Sequence, residues 1–258
     1  MTDTVTAEFR SAGDGGLQVP PVDLLRDASL FLDFDGTLVE IAHRPDGVLV
    51  DARLRALVSR LVQDMNGRVA IVSGRPIAAI AGYLGEGVAI SGSHGLEMRW
   101  PDGRERAPER PATLDMVLAR LREFADDREG LLVEEKPLGV GLHYRGAESL
   151  EAEARELVGR LADETGLTVQ SGKKVLELRL AGAHKGEAIR HFLEGPPFAG
   201  FRPVFIGDDV TDEDGFAAVA HIGGAGILVG DARPTDARYR LAGVGSTLDW
   251  LEAACAAL

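Results

Sequence analysis

Three short apolar runs in this sequence end abruptly in residues suited to phosphate and magnesium chemistry. Leu30-Phe31-Leu32 runs into Asp33-Phe34-Asp35-Gly36-Thr37, and Val69-Ala70-Ile71-Val72 runs into Ser73-Gly74-Arg75. Pro203-Val204-Phe205-Ile206 runs into Gly207-Asp208-Asp209-Val210-Thr211-Asp212, and Lys185 stands just before a helical segment. A carboxylate at a strand end can attack phosphorus and split one hard displacement into two easier ones. A second carboxylate two residues on can protonate a leaving oxygen and later deprotonate water. Taken singly, each element is ordinary. Asp-Gly is a common turn pair, Ser-Gly after a strand is common loop chemistry, and an acidic run often belongs to a helix N-terminus. Their convergence is informative, because open α/β sheets bind ligands outside the carboxyl ends of their strands.

The elements that must position these residues follow from the apolar spacing. Ser29–Leu32, Val69–Val72, Val88–Ile90, Leu96–Trp100, Pro203–Ile206 and Gly226–Val229 read as strands. Asp51–Met65, Pro76–Leu84, Gly186–Leu193, Phe216–His221 and Ser246–Leu258 read as helices. Strands that are apolar throughout, alternating with helices, indicate a parallel sheet covered on both faces. The middle of the chain differs. Helices built on Leu114–Leu121 and on Leu150–Leu161, the second with Ser149 as its expected N-cap, accompany strands at 131–136, 140–145, 167–170 and 174–180. In the last of these, Leu176, Leu178 and Leu180 alternate with Val175, Glu177 and Arg179, as in a strand with one apolar face. The expected organisation is therefore a flexible tail (1–21), a discontinuous α/β core (22–107 and 181–258) and a smaller inserted α+β domain (108–180).

Composition narrows the function classes. The 258 residues carry 28 Lys and Arg against 41 Asp and Glu, a net charge of −13, which disfavours nucleic-acid binding through phosphate neutralisation. Cys255 is the only cysteine, so neither an internal disulfide nor a cysteine zinc cluster is available. With no long apolar stretch and no secretory pattern at the start, the expectation is a cytoplasmic protein without membrane association. His43, His143, His184, His191 and His221 show no metal-ligand grouping, and core or surface roles are expected for them. Cys255 is expected to pack in the terminal helix.

The motifs Asp33-x-Asp35-Gly36-Thr37, Ser73, Lys185 and Gly207-Asp208-Asp209-x-x-Asp212, in that order, resemble the haloacid dehalogenase superfamily of phosphohydrolases. With Val72-Ser73-Gly74-Arg75, Gly92-Ser93-His94-Gly95, Glu134-Glu135-Lys136, His143-Tyr144-Arg145 and Gly172-Lys173 added, the chain from about residue 28 onward resembles the trehalose-6-phosphate phosphatase family. The resemblance implies a Rossmann-like parallel-sheet core of the haloacid dehalogenase type with an inserted α+β cap domain. It implies Mg²⁺-dependent hydrolysis of trehalose 6-phosphate, in functional connection with a trehalose-phosphate synthase. The same chemistry on another sugar phosphate, such as a sucrose or mannosyl phosphate, is the alternative.

The chemistry of these residue types agrees with the roles the resemblance implies. Asp33 is the expected nucleophile and Asp35 the general acid and base. Ser73 donates to a phosphoryl oxygen, and Lys185 neutralises that group together with Asp33. Asp33 and Asp208 are the expected carboxylate ligands of magnesium, to which the resemblance adds the backbone carbonyl of Asp35. Asp209 and Asp212 are expected to support the ligands through hydrogen bonds, because too many bound carboxylates would repel phosphate. Glu134 and Lys136 share one face of their strand, and Lys173 and Glu177 share parity on the last cap strand. On the residues alone, cross-strand ion pairing on a solvated face is the favoured explanation of these four; the resemblance turns the reading to sugar binding, with Arg75 and His94 facing them from the core loops. A receiver-type signalling module would lack the cap and the second aspartate, and a catalytically dead sensor would not need the Asp33/Asp35 pair.

Overall fold

The computed structural model describes residues 16–42 and 47–258. His43 and residues 1–15, most of the expected tail, lie outside the described residues. The chain engages the core before the expected start at Val22. Gln18 bridges to Tyr239, the Arg240 amide donates to the Gln18 carbonyl at 3.0 Å, and the Trp250 indole donates to the Pro20 carbonyl at 2.8 Å.

The first part of the chain builds β1 (Ala28–Leu32), α1 (Ala52–Asp64), β2 (Val69–Val72), α2 (Ile77–Leu84), β3 (Ala89–Gly92), β4 (Glu97–Arg99) and β5 (Glu105–Arg106). The middle builds α3 (Thr113–Asp126), β6 (Leu132–Lys136), β7 (Gly139–His143), α4 (Glu151–Thr165), β8 (Thr168–Gly172) and β9 (Val175–Arg179). The last part builds α5 (Lys185–Leu193), β10 (Arg202–Gly207), α6 (Glu213–His221), β11 (Ala225–Val229), β12 (Tyr239–Leu241) and α7 (Val244–Ala256).

The first and last parts share one sheet, in the order β12-β11-β10-β1-β2-β3-β4-β5. Its pairs are parallel from β12 to β3 and antiparallel beyond. Successive side chains of a strand point to opposite faces, so two apolar layers form. Leu30, Leu32, Val69 and Ile71 pack with Leu54, Leu61 and Leu251 from α1 and α7. Phe31, Ala70, Val72 and Phe205 pack with Ile189, Phe192 and Phe216 from α5 and α6. Burial on both faces explains why these strands read as continuous apolar runs.

The second sheet is antiparallel, in the order β6-β7-β9-β8. Val140, Leu142, Leu176 and Leu178 on its apolar face pack against Leu114, Val117, Leu121, Leu157 and Leu161 of α3 and α4. Its other face is covered as well: Glu177 and Arg179 are each only 5% exposed. That face is turned toward the carboxyl ends of the large sheet rather than toward solvent.

Two local expectations are corrected. Ser149 does not cap α4; it lies in a 3₁₀ turn at Glu148–Leu150 that leads into the helix, and Leu150 occupies the cap position without a side-chain hydrogen bond. The strand expected at Leu96–Trp100 is shorter at both ends, because a turn occupies Ser93–Gly95 and a second turn begins after Trp100. The edge strands β5 and β12 span two and three residues, too few for periodicity to register.

Candidate active site

Strand order brings the chemistry together. β1 lies between β10 and β2, with Leu32 paired to Ile206 on one side and to Ile71 on the other. Asp33, Asp208 and Ser73 therefore leave neighbouring parallel strands at the same rim. The Asp33 amide continues the ladder by donating to the Ile206 carbonyl at 2.9 Å. Lys185 is the first residue of α5, and His184 caps that helix through its side chain.

Asp33 and Lys185 are each 4% exposed and Asp212 is fully buried. The Lys185 ammonium donates to Asp33 Oδ1 and to Asp212 Oδ1, both at 2.6 Å. Burial alone would lower the lysine pKa, but the two carboxylates outweigh it and hold the ammonium firmly charged. Burial pushes the Asp33 carboxyl well above the usual carboxylate range; Lys185 opposes this, while Asp212 and Asp208 add to it. Asp212 Oδ2 accepts from the amides of Asp208 at 2.9 Å and Asp209 at 2.8 Å. The Asp209 side chain caps the following turn by accepting from the Val210 amide at 2.7 Å. Asp212 thus has both oxygens committed to holding its neighbours.

Carboxylate oxygens of Asp33, Asp208 and Asp212 lie within 4.8 Å of one another. Asp208 Oδ1 is buried and has no hydrogen-bond partner, while Oδ2 accepts from Lys173 at 2.6 Å. A buried, unpartnered carboxylate oxygen beside a second acid is a suitable donor for a hard divalent cation, and this donor set fits magnesium. When fully ionised, three carboxylates face the two ammoniums of Lys185 and Lys173, so the cluster retains negative charge for a cation to neutralise.

Gly36 makes this geometry accessible. Its φ is +82°, and a Cβ there would overlap the Asp208 carboxylate. Asp35 is held bidentately by Arg75, with Nε to Oδ2 at 2.7 Å and a second guanidinium nitrogen to Oδ1 at 2.8 Å. Ser73 is buried, and its Oγ accepts from the Arg75 amide at 3.1 Å.

One cleft joins the two sheets. Asp33, Asp35, Ser73, Arg75, His94, Lys185, Asp208 and Asp209 line it from the core, and Glu134, Lys136, Lys173 and Glu177 line it from the second sheet. Asp212 lies behind its wall. Glu177 and Lys136 form a buried ion pair, with Glu134 Oε2 4.0 Å from the same ammonium. Burial would raise the Glu177 pKa, but Lys136 and His94 hold it well below the ordinary value. His94 Nε2 stands 3.8 Å from Glu177 Oε2, and burial lowers the imidazole pKa, favouring the neutral ring.

Lys173 departs from the expected grouping with Glu177. It sits in the two-residue turn between β8 and β9, where Lys174 has a φ of 64°, so strand parity does not apply; its ammonium reaches the core instead. His143 was missed as a site residue. It lines the cleft, and Nε2 is 2.8 Å from Glu134 Oε2. The signal was the β6–β7 pairing, in which Leu132 opposes His143 and places it diagonal to Glu134. Arg145 also crosses between the sheets, donating to the Ala42 carbonyl at 2.5 Å and to the Lys173 carbonyl at 3.1 Å.

The sequence profile described as trehalose-phosphatase matches residues 31–244. The chain belongs to the trehalose-phosphatase family. It is 37% identical over 237 residues to a probable trehalose-phosphate phosphatase of Sinorhizobium fredii, covering 91% of this chain and 89% of the relative. It is 35% identical over 231 residues to the trehalose-6-phosphate phosphatase of Escherichia coli, covering 88% and 86%. The fold is shared with the C-terminal domain of a C. albicans trehalose-6-phosphate phosphatase, at a TM-score of 0.81 and 22% identity over 95% of this chain and 99% of that one. It is the α/β fold of haloacid dehalogenase-like hydrolases. No helix among the described residues is long and apolar enough to cross a membrane.

Proposed function

We propose that this chain is a magnesium-dependent phosphatase that hydrolyses trehalose 6-phosphate to trehalose and phosphate. The observation that carries the reading is one cleft with two chemistries: Asp33 and Lys185 on the core side, and Glu134, Lys136 and Glu177 opposite. The first set suits a phosphoryl group and the second suits sugar hydroxyls, with carboxylates accepting and the ammonium donating.

In this reading an Asp33 carboxylate oxygen forms a bond to phosphorus as the bond from phosphorus to the sugar oxygen breaks. Asp35 delivers a proton to that leaving oxygen. Its bidentate pair with Arg75 implies that the guanidinium shifts toward the sugar as the acid is used. Asp35 then takes a proton from water, which attacks phosphorus and releases Asp33 and phosphate. Lys185 and the Ser73 hydroxyl steady the phosphoryl oxygens, and Asp212 keeps Lys185 and the 208–209 backbone in place. Asp33 and Asp208, with the Asp35 carbonyl, would hold magnesium, which supplies charge neutralisation at the phosphate. Residues 108–180 would act as a cap that excludes water during the acid–base steps. A cytoplasmic setting and a functional link to a trehalose-phosphate synthase belong to the same reading.

The test is Asp33→Asn. Turnover of trehalose 6-phosphate should fall by at least about a thousandfold while the circular dichroism spectrum is retained. A folded variant with near wild-type turnover would refute Asp33 as the nucleophile.

A further inference from the structure

Ser93, His94 and Gly95 have φ values of 48°, 56° and 102°. Two successive non-glycine residues in the left-handed region are uncommon, because their Cβ atoms crowd the backbone. Such a turn persists where its surroundings over-determine it. Here the Ser93 amide donates to the Arg75 carbonyl at 2.9 Å, and the His94 amide donates to the Ser73 carbonyl at 3.0 Å. The Ser93 hydroxyl donates to Glu97 Oε2 at 2.5 Å.

Glu97 opens β4 opposite Gly92, at the base of the same hairpin. Pairing of β3 with β4 runs through the backbone and needs no carboxylate there. The carboxylate instead folds back onto a buried hydroxyl in the turn. The turn delivers the His94 ring over Gly74, so closely that a Cβ at Gly74 would lie 2.5 Å from it. From there the imidazole faces Glu177 across the cleft. One loop therefore touches the carbonyls of Ser73 and Arg75 and aims a donor–acceptor ring at the sugar-facing carboxylate.

We propose that Glu97 is a positioning residue for sugar recognition: through the Ser93 hydroxyl it holds the left-handed turn that sets His94 between the Ser73–Arg75 loop and Glu177. This deepens the reading of the cleft as a trehalose 6-phosphate site and rests on it. Glu97 touches neither phosphate nor sugar, so its loss weakens sugar binding and leaves phosphoryl chemistry intact.

The experiment measures kcat and KM for trehalose 6-phosphate and for p-nitrophenyl phosphate, which carries no sugar to grip. Glu97→Ala should raise KM for the sugar phosphate about tenfold, the scale of one lost side-chain hydrogen bond. Its kcat values, and KM for the aryl phosphate, should be little changed. Glu97→Gln retains an acceptor oxygen for Ser93 and should restore most of the KM. If Glu97→Ala fails to fold, Ser93→Ala removes the same hydrogen bond from its other end and should give the same KM shift. An unchanged KM for trehalose 6-phosphate in a folded variant, or parallel losses on both substrates, would overturn the proposal. Wild-type enzyme that hydrolyses the aryl phosphate but not trehalose 6-phosphate would overturn the substrate reading, and this proposal with it.

Discussion

Replacing Lys185 by methionine keeps a side chain of similar reach and removes its charge. The ammonium is 4% exposed and lies 2.6 Å from both Asp33 and Asp212. At an effective dielectric of about 20, each contact represents roughly 6 kcal/mol of Coulomb attraction before desolvation is counted. The net loss is smaller, because the stranded carboxylates take up a proton or draw in a cation; breaking a buried pair costs about 3–5 kcal/mol. Lys185→Met should therefore lose about 3–5 kcal/mol in urea denaturation with a chelator present, with a melting temperature lower by about 10 °C. Magnesium should stabilise the variant more than the wild type, because a dication then replaces the missing charge. Equal stability of the two proteins in chelator, or equal stabilisation by magnesium, would refute the view that Lys185 offsets the carboxylate charge.

Gly36→Ala introduces a Cβ at a φ of +82° against the Asp208 carboxylate. It should cost about 1–2 kcal/mol of stability from backbone strain alone and weaken magnesium binding in calorimetric titration. Glu177→Gln should cost up to about 3 kcal/mol at neutral pH by removing the nearer of the two carboxylates beside the Lys136 ammonium, Glu134 remaining 4.0 Å away. The Glu177 pKa is depressed below its ordinary 4.5, so its stabilisation is present above that pH and declines as pH falls below it. Chemical denaturation should accordingly show the gap between wild type and Glu177→Gln closing on acidification below pH 4.5.

The convergence of residues at the sheet rim was legible because it depends on one rule. Buried parallel strands read as apolar runs, and Asp33, Ser73 and Asp208 follow directly after three of them. The facing pair Lys136–Glu177 was partly legible, since alternation assigns faces but not which strands adjoin. Register was the missing information at His143, whose position beside Glu134 depends on how β6 and β7 align. Lys173 was misgrouped because a turn interrupts the alternation between it and Glu177. The Arg75–Asp35 pair joins loops 40 residues apart, and local spacing carries no trace of it. Ser149 illustrates a different limit: a good capping residue near a helix start was displaced by a preceding 3₁₀ turn.

The acidic balance of the whole chain also gains a local meaning. Part of the excess negative charge is concentrated at Asp33, Asp208 and Asp212, where Lys185, Lys173 and a divalent cation would convert it into a phosphate site. A net charge of −13 therefore disfavours nucleic acid without disfavouring a small anionic substrate.

The most direct measurement is phosphate release by the purified protein with magnesium across trehalose 6-phosphate, sucrose 6-phosphate, a mannosyl phosphate and glucose 6-phosphate. The cleft predicts a kcat/KM for trehalose 6-phosphate at least about a hundredfold above the others, the discrimination expected when mismatched hydroxyls leave buried polar groups unpaired. Activity should disappear on chelation and return with magnesium. Equal rates across the panel, or a preference for another sugar phosphate, would contradict the account.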